Sequence, residues 1–291
     1  MNRLRHFTVP PECEMMSVKS FSRHYLGISS RALIKQKYAD NGIMLNECRC
    51  KTNAILHTND ILSFMLPSES PGYLAVPGEL TVLYEDDNFL AVDKPANMPI
   101  HPSPGHDNDS LLNLTAYHYQ THGESHNFRP MYRLDKDTSG IVWIAKNRIA
   151  ASCTSIEKIY YGICEGRFTG SGIIDEPIAL MEGSKIKRGV SRDGRGLAAV
   201  THWKALKNSC SHTLAAFKLI TGRTHQIRVH MSHIGHPLAG DDLYGGAVDI
   251  ISRQALHCGK TKAVCKVYNL DIDLDNDFPA DVFSAFDKLL Y

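Results

Sequence analysis

The chain has 291 residues, of which 43% are hydrophobic and 22% are charged, a composition typical of a soluble globular protein. No stretch approaches the roughly 18 apolar residues that a membrane helix needs, and the first seven residues lack the apolar core of a secretory signal. The eight cysteines form no Cys-x-x-Cys pair, so the sequence predicts no zinc framework, and we expect a cytoplasmic protein that does not bind membranes.

The formal net charge of +1 hides an uneven distribution of charge. Residues 1–70 carry nine lysines and arginines against six acidic residues, whereas residues 269–291 carry six aspartates and one lysine. The body of the chain is therefore basic and can follow a phosphate backbone if its charges cluster on one face. Charged surface is usually only solvated, so this distribution alone does not establish nucleic-acid binding.

Residues 17–66 are predicted to form a compact unit of two helices and two short strands. Ser29 can cap the second of these helices. Proline, serine and glycine around residue 70 then mark a linker. The predicted helices span residues 20–27 and 31–38, and the predicted strands span residues 43–45 and 61–66. We therefore divide the chain into a module at 1–70, a linker at 71–79 and a larger domain at 80–291.

The larger domain is predicted to consist mainly of strands, beginning with a hairpin around a turn at residues 86–88. Four prolines between residues 95 and 104 exclude a helix there and predict a shaped loop at 94–102. Residues 183–197 hold five lysines and arginines, which suit a loop that grips RNA phosphates as well as they suit a mobile surface loop. Further strands are expected at 141–145, 160–164, 198–206, 213–220 and 224–229, and helices at 110–122 and 148–157.

A polar turn precedes the buried strand at 141–145, in the run Arg133-Leu134-Asp135-Lys136-Asp137-Thr138-Ser139-Gly140. A carboxylate on a tight loop that a rigid strand holds suits a nucleophile or a general base. An Asx-type turn without chemistry is the alternative interpretation.

Three histidines, at positions 230, 233 and 236, invite a metal interpretation. On a helix, each residue turns the side-chain direction by about 100°. His236 would then point about 120° away from His230, and Pro237 ends the helix. We therefore expect no metal site.

Four runs, taken together and in this order, resemble the signature of the RluA-type pseudouridine synthases. This resemblance implies an α+β fold with a large mixed, mostly antiparallel sheet, preceded by a module similar to the S-four-type RNA-binding module. It also implies a monomeric enzyme that isomerises uridine to pseudouridine in structured RNA, most often ribosomal RNA, without a cofactor or a metal. The runs are residues 94–102 (Lys-Pro-Ala-Asn-Met-Pro-Ile-His-Pro), 133–140, 158–160 (Lys-Ile-Tyr) and 222–230 (Gly-Arg-Thr-His-Gln-Ile-Arg-Val-His).

The resemblance implies that Asp135 is the nucleophile, which attacks carbon 1′ or the uracil ring or abstracts a ribose proton; these three routes stay open. Arg228 would pair with this carboxylate and favour its charged form. Alternation along the expected strand 224–229 favours a buried Arg228 over a surface phosphate contact, because Ile227 and Val229 are apolar. Tyr160 would stack on the uracil or accept a proton.

The remaining expected site residues bind the substrate. Arg133 can enter the space that an everted base leaves. Lys94 either contacts RNA or supports the active-site loop. The other substrate-side residues are His101, Thr138, His225 and Ile227, and the phosphate-facing residues of the module are Arg31 and Lys35.

One departure from the family pattern keeps a second function open. The segment 148–157, between the second and third motifs, is shorter than the corresponding segment usually is in the family. A catalytically inactive RNA-binding or ribosome-assembly factor of the same fold is therefore an alternative. A hydrolase with paired carboxylates is another, because Asp137 and Asp135 would point the same way on an extended loop.

Overall fold

The computed structural model describes residues 3–39, 42–66 and 72–288. In these ranges, the chain forms two separate main sheets with six helices around them, so the predicted α+β class is confirmed. The helices are α1 (Val18–Ser20), α2 (Ser30–Tyr38), α3 (Leu111–Thr121), α4 (Arg148–Cys153), α5 (Gln226–His233) and α6 (Ala280–Lys288).

The N-terminal sheet has four antiparallel strands that pair in the order β1-β4-β2-β3. The predicted second helix is confirmed as α2, where the Ser29 hydroxyl accepts a hydrogen bond from the Ala32 N–H at 3.2 Å. The predicted first helix is only α1 followed by a π-helical turn at Phe21–Tyr25. Strand β1 was not predicted. The four strands are β1 (Arg3–Thr8), β2 (Ile43–Leu45), β3 (Cys48–Arg49) and β4 (Ile61–Leu66).

The second main sheet has nine strands and carries the candidate site. Its pairs are antiparallel except for one parallel pair, β7 with β14, so the predicted mixed, mostly antiparallel sheet is confirmed for the described residues. In pairing order, the strands are β5 (Thr81–Glu85), β6 (Phe89–Lys94), β7 (Ser139–Ala145), β14 (Leu256–Cys265), β8 (Ser155–Glu165), β13 (His212–Leu219), β12 (Val200–Asn208) and β9 (Ser171–Asp175), with β15 (Leu270–Asp275) beside β14.

Strand β7 lies in the middle of the protein, and all seven of its residues are buried. Its side chains alternate between two hydrophobic cores, as the two-residue period of a strand requires. Val142 and Ile144 pack in the core on one face, while Ile141, Trp143 and Ala145 pack in the core on the other face. A strand covered on both faces is rigid, so the turn just before it is well anchored.

Gly140, the second residue of β7, lies where a side chain would not fit. Its φ of 117° is unfavourable for residues with a side chain, and a Cβ there would lie 2.3 Å from the backbone oxygen of Cys258. Cys258 on β14 pairs with both Gly140 on β7 and Tyr160 on β8. This close approach sets the turn before β7 at a fixed distance from the middle of β8.

A two-stranded hairpin, β10 (Ile178–Leu180) and β11 (Arg188–Val190), covers one end of the large sheet. The basic segment 183–197 lies in this hairpin and after it. Two of its arginines form ion pairs, Arg192 with Glu176 and Arg195 with Asp193. The hairpin packs against α5 through a small core that includes Ile178, Val229 and Tyr244.

The N-terminal sheet packs directly on the large domain. Ile149 of α4 lies in the N-terminal hydrophobic core, and the Ser152 hydroxyl donates to the Leu26 carbonyl at 3.2 Å. The ring of Tyr268 lies 6.2 Å from that of Phe7 and 6.0 Å from that of Phe89, measured between centroids. Residue 71 of the predicted linker lies outside the described residues, and residues 72–79 form neither helix nor strand.

Candidate active site

Asp135 lies in a turn at the start of β7, and its carboxylate faces a cavity. The Thr138 N–H donates to the Asp135 carbonyl at 3.1 Å and closes this turn. Two cations from other parts of the chain hold the next two carbonyls. The Lys94 ammonium donates to the Lys136 carbonyl at 3.0 Å, and the Arg253 guanidinium donates to the Asp137 carbonyl at 3.0 Å. The turn is therefore fixed through its backbone, which leaves the Asp135 side chain for other contacts.

Arg228 supplies the contact that the sequence predicted. Its Nη1 lies 3.3 Å from Oδ2 of Asp135, and only 7% of the residue surface is exposed. The other side of the guanidinium forms two hydrogen bonds to Asp241, at 2.7 and 2.8 Å. Burial opposes the charged form, but hydrogen bonds and charge from Asp241, with a smaller contribution from Asp135, raise the pKa of Arg228. The guanidinium therefore remains cationic beside Asp135.

The prediction of a strand at 224–229 is wrong, because Arg228 lies in helix α5. His225 has left-handed backbone angles (φ 59°) and precedes the helix, and the Gln226 side chain accepts the Arg223 N–H at 2.9 Å. Residues 226–231 are all buried, so apolar residues do not alternate with exposed polar ones and the two-residue spacing of Ile227 and Val229 was misleading. The burial of Arg228 was predicted correctly, although for the wrong element.

Asp241 is one of the charged residues at the site that the sequence analysis missed. It is 1% exposed and follows Leu238 in a tight turn. Glycines at 240, 245 and 246 allow this turn, because a Cβ on Gly240 or Gly246 would meet a backbone oxygen at about 2 Å. A cluster of glycines around two aspartates was the available signal for it.

Tyr160 lies on β8 opposite Cys258 and is 5% exposed. Burial raises its pKa well above the ordinary value, as do the negative charge of Asp135 and a hydrogen bond with Cys258 to lesser extents. The side chain therefore rests as a neutral phenol against the cavity. Lys158, two residues earlier, also lines the cavity and lies 4.6 Å from the ring centre of Tyr132.

The cavity between these groups has a volume of about 490 Å³, which suits a ligand the size of a nucleotide. It brings together seven of the predicted residues: Arg133, Asp135, Thr138, Tyr160, His225, Ile227 and Arg228. Arg133 is exposed, Ile227 is buried, and Thr138 is buried with its hydroxyl 3.3 Å from the Gln254 amide nitrogen. The residues that the sequence did not single out include Met131, Tyr132, Leu219, Arg223, Thr224 and Leu256.

Four predicted residues do not line the cavity. Lys94 is fully buried and donates to the carbonyls of Pro95, Met98 and Lys136 at 2.8, 2.9 and 3.0 Å. The loop 94–102 packs against the Asp135 turn through Lys94, and the residues that line the cavity do not include it. The exposed His101 lies edge-on to Phe128, at 5.3 Å between ring centroids. The other two are Arg31 and Lys35, exposed on α2.

We expect Lys94→Met to weaken the turn rather than RNA binding. The substitution removes three hydrogen bonds to carbonyls in and beside the turn, so the free energy of unfolding should fall by about 2–4 kcal/mol. The turnover number should fall about tenfold in any isomerisation or hydrolysis assay, while the dissociation constant for RNA stays constant. Lys136→Met, at an exposed neighbour, is the matched control, and a large loss of RNA affinity in Lys94→Met alone would contradict this interpretation.

Asp137 does not form a second carboxylate of the cavity. The Thr138 N–H bonds back to the Asp135 carbonyl, so these residues form a turn and not the extended loop on which the pairing was expected. The Asp137 carboxylate lies 3.9 Å from the Lys136 ammonium and is 37% exposed, and Asp137 is not among the residues that line the cavity.

Of the three histidines expected not to form a metal site, two point to separate partners. His230 lies 2.8 Å from the Thr201 hydroxyl and 2.9 Å from the Glu176 carbonyl, while His236 lies 2.8 Å from the Glu165 carbonyl. In the described ranges, no group of three histidine, cysteine or acidic side chains is arranged to hold a metal ion. None of the described helices is long and apolar enough to span a membrane.

Comparison with known proteins identifies the family to which this chain belongs. The sequence model described as RNA pseudouridylate synthase matches residues 88–233, a segment that includes all seven cavity residues named above. The uncharacterized RNA pseudouridine synthase YhcT of Bacillus subtilis is 36% identical over 265 residues, which cover 87% of each chain. The ribosomal large subunit pseudouridine synthase D of Pseudomonas aeruginosa is 37% identical over 225 residues, 75% of this chain and 70% of that protein.

Solved structures support the same fold. Human RNA pseudouridylate synthase domain containing 1 superimposes with a TM-score of 0.56 at 23% sequence identity, over 69% of this chain and 86% of the human chain. Human RNA pseudouridylate synthase domain containing 4 gives the same TM-score at 22% identity, over 72% and 92%.

Proposed function

Because the chain belongs to the RluA-type RNA pseudouridine synthases, we propose that it isomerises uridine in ribosomal RNA with Asp135 as the nucleophile. The observation that carries this proposal is a single carboxylate that faces a cavity of about 490 Å³ and is ion-paired with a buried arginine. Tyr160 lines the same cavity.

The reaction detaches uracil from carbon 1′ of its ribose, rotates the base and rejoins it through carbon 5. It consumes no energy and changes no oxidation state, so no cofactor is required. A carboxylate that acts as nucleophile must be ionised although the bound base excludes water. Arg228 contacts the Asp135 carboxylate, and Asp241 holds Arg228 in place from its other side.

Two further side chains suit an everted nucleotide. The Tyr160 ring offers a flat apolar face on which the detached uracil can stack until it is rejoined. Arg133 is exposed and lines the cavity. Its planar guanidinium can therefore fill the space that the base leaves in the RNA. Stacking there offsets part of the free energy of unstacking, which is roughly a few kcal/mol.

Ribosomal RNA is the proposed substrate because several relatives carry that assignment in their names. Proteins named ribosomal large subunit pseudouridine synthase D, from Pseudomonas aeruginosa and Zymomonas mobilis, are 37% and 35% identical to this chain. Pseudouridine mapping in ribosomal RNA from a strain that lacks the protein, compared with its parent, tests this. If the strain that lacks the protein keeps every ribosomal pseudouridine but loses one in another RNA, the ribosomal assignment is overturned and the isomerase assignment is not.

The reaction itself is tested with RNA labelled with tritium at carbon 5 of uridine. Pseudouridine formation replaces that tritium, so the protein should release it in step with the appearance of pseudouridine in digests of the RNA. RNA binding without release would favour the inactive assembly factor, for which the short helix α4 (Arg148–Cys153) is the motivating feature. Free uracil as the product would favour a hydrolase.

The N-terminal unit is proposed to bind RNA through α2. Arg31 and Lys35 are exposed one helical turn apart, so both can reach a phosphate backbone. Replacing both with glutamine should lower the slope of log affinity against log salt concentration by about 1–2 units. The paired control is Arg23→Gln with Lys51→Gln, two exposed cations of the same unit. Equal slopes in both double variants would show that α2 does not contact RNA. Deleting residues 1–70 is a poorer test, because it would uncover Ile149.

A further inference from the structure

The hydroxyl of Tyr244 connects the hairpin, α5 and the cavity. Tyr244 ends a short 3-10 turn at Asp242–Tyr244, and its ring packs in the small core beside Val229 of α5. Its Oη accepts a hydrogen bond from the backbone N–H of Arg188 at 3.0 Å. The same Oη lies 2.8 Å from Nδ1 of His225, and the sequence analysis gave Tyr244 no role.

These contacts determine where His225 carries its proton. The Arg188 N–H occupies a lone pair of Oη, so the hydroxyl proton is free to be donated to Nδ1 of His225. The imidazole proton then lies on Nε2, which is 3.8 Å from Oδ2 of Asp135. The opposite tautomer would aim an imidazole lone pair at a carboxylate oxygen, which is electrostatically unfavourable. Burial lowers the pKa of His225, so the ring is neutral at neutral pH.

The two oxygens of the Asp135 carboxylate are therefore in different surroundings. Oδ2 lies 3.3 Å from Nη1 of Arg228 and 3.8 Å from Nε2 of His225. Within the described ranges, the contacts of this carboxylate with Arg228 and His225 both end on Oδ2. A separation of 3.8 Å is longer than a hydrogen bond, so the His225 contact has to shorten when the substrate binds.

We propose that Tyr244 and His225 form a positioning pair: Tyr244 fixes the proton of His225 on Nε2, and this N–H holds Oδ2 of Asp135 so that Oδ1 is the reacting oxygen. The inference rests on the proposed function, because it assigns an oxygen to the nucleophile. The ring and the hydroxyl of Tyr244 have separate contacts. The ring lies 5.0 Å from the guanidinium of Arg228 and edge-on to the ring of His225, while the hydroxyl lies 2.8 Å from Nδ1 of His225.

The first test reads the tautomer in the resting protein, without RNA. Two-bond ¹H–¹⁵N correlation spectra of the ¹⁵N-labelled protein distinguish Nε2–H from Nδ1–H, and the His225→Asn spectrum assigns the signals. We expect Nε2–H alone in the unaltered protein and a mixture of tautomers in Tyr244→Phe. Tyr161→Phe, which removes another partly buried hydroxyl, is the matched control and should leave the signals unchanged. Nδ1–H in the unaltered protein, or one unchanged tautomer in Tyr244→Phe, would overturn the pair.

The second test is a double-mutant cycle on isomerisation. His225→Asn is chosen because asparagine tolerates the left-handed backbone at this position and its short side chain reproduces Nδ1 but not Nε2. We expect Tyr244→Phe to lower the turnover number about tenfold with KM for RNA unchanged, and we expect the double variant to match His225→Asn alone. If the loss of turnover in the double variant equals the product of the losses in the two single variants, the pairing is refuted. If the unaltered protein forms no pseudouridine, the proposed function fails, while the spectra still decide the tautomer.

Discussion

Asp135→Asn is expected to lower pseudouridine formation by at least about a thousandfold, the scale of effect seen when an enzyme loses its nucleophile. Asparagine has nearly the same shape, and its amide oxygen can still accept from Arg228, so the turn and the cavity should persist. An amide cannot form the covalent bond or take up the proton that any of the three routes requires. Tritium release and pseudouridine content of digests, at saturating RNA, measure the effect.

The control for this variant lies two residues away. Asp137→Asn makes the same chemical change outside the cavity, at a carboxylate that lies 3.9 Å from the Lys136 ammonium. It should retain turnover within about threefold of the unaltered protein. Activity that survives in Asp135→Asn but is lost in Asp137→Asn would exchange the roles of the two residues. Normal activity in both would remove the nucleophile from this turn altogether.

Arg228→Lys is expected to lower turnover by about a hundredfold although it preserves the positive charge. The planar guanidinium forms two hydrogen bonds with Asp241 and reaches Asp135 with its remaining nitrogen. A compact ammonium cannot make all three contacts, so one carboxylate loses its partner. Because Asp241 is buried, the free energy of unfolding should also fall, by about 1–3 kcal/mol.

Loss of folding must be separated from loss of chemistry in this variant. Thermal melting gives the folded fraction, and turnover is measured well below the melting temperature. Arg167→Lys, at an exposed position, is the control for the substitution itself and should behave like the unaltered protein. Near-normal turnover in a folded Arg228→Lys protein would show that the charge alone suffices and would contradict the role of the bidentate geometry.

Local patterns identified the parts of the site that depend on residues close in sequence. The turn at Asp135 and the buried strand β7 were both predicted. Polar turn residues followed directly by a continuous apolar run are a local signal for a turn that leads into a buried strand. The resemblance then assigned Arg228 to Asp135 across 93 positions, and the two groups do meet. No periodicity could have made that assignment.

The parts that were missed depend on packing between distant segments. The first six residues of helix α5 are buried, polar and apolar alike, so this part of the helix shows no exposed polar face of the kind by which an amphipathic helix is recognised. Asp241 resembles an ordinary turn residue until Arg228 is placed beside it. Tyr244 acquires a role only because the hairpin brings the Arg188 N–H to its hydroxyl.

The ring of Tyr268 touches Phe7 of the N-terminal sheet and Phe89 of the large sheet. An RNA-binding unit on a free tether could search a wide volume, whereas one fastened by a shared aromatic contact holds α2 at a set distance from the cavity. If α2 binds phosphates, the distance between α2 and the cavity limits which uridines can enter the cavity. The protein would then choose its uridine by the spacing between two features of the folded RNA, more than by the bases next to the target.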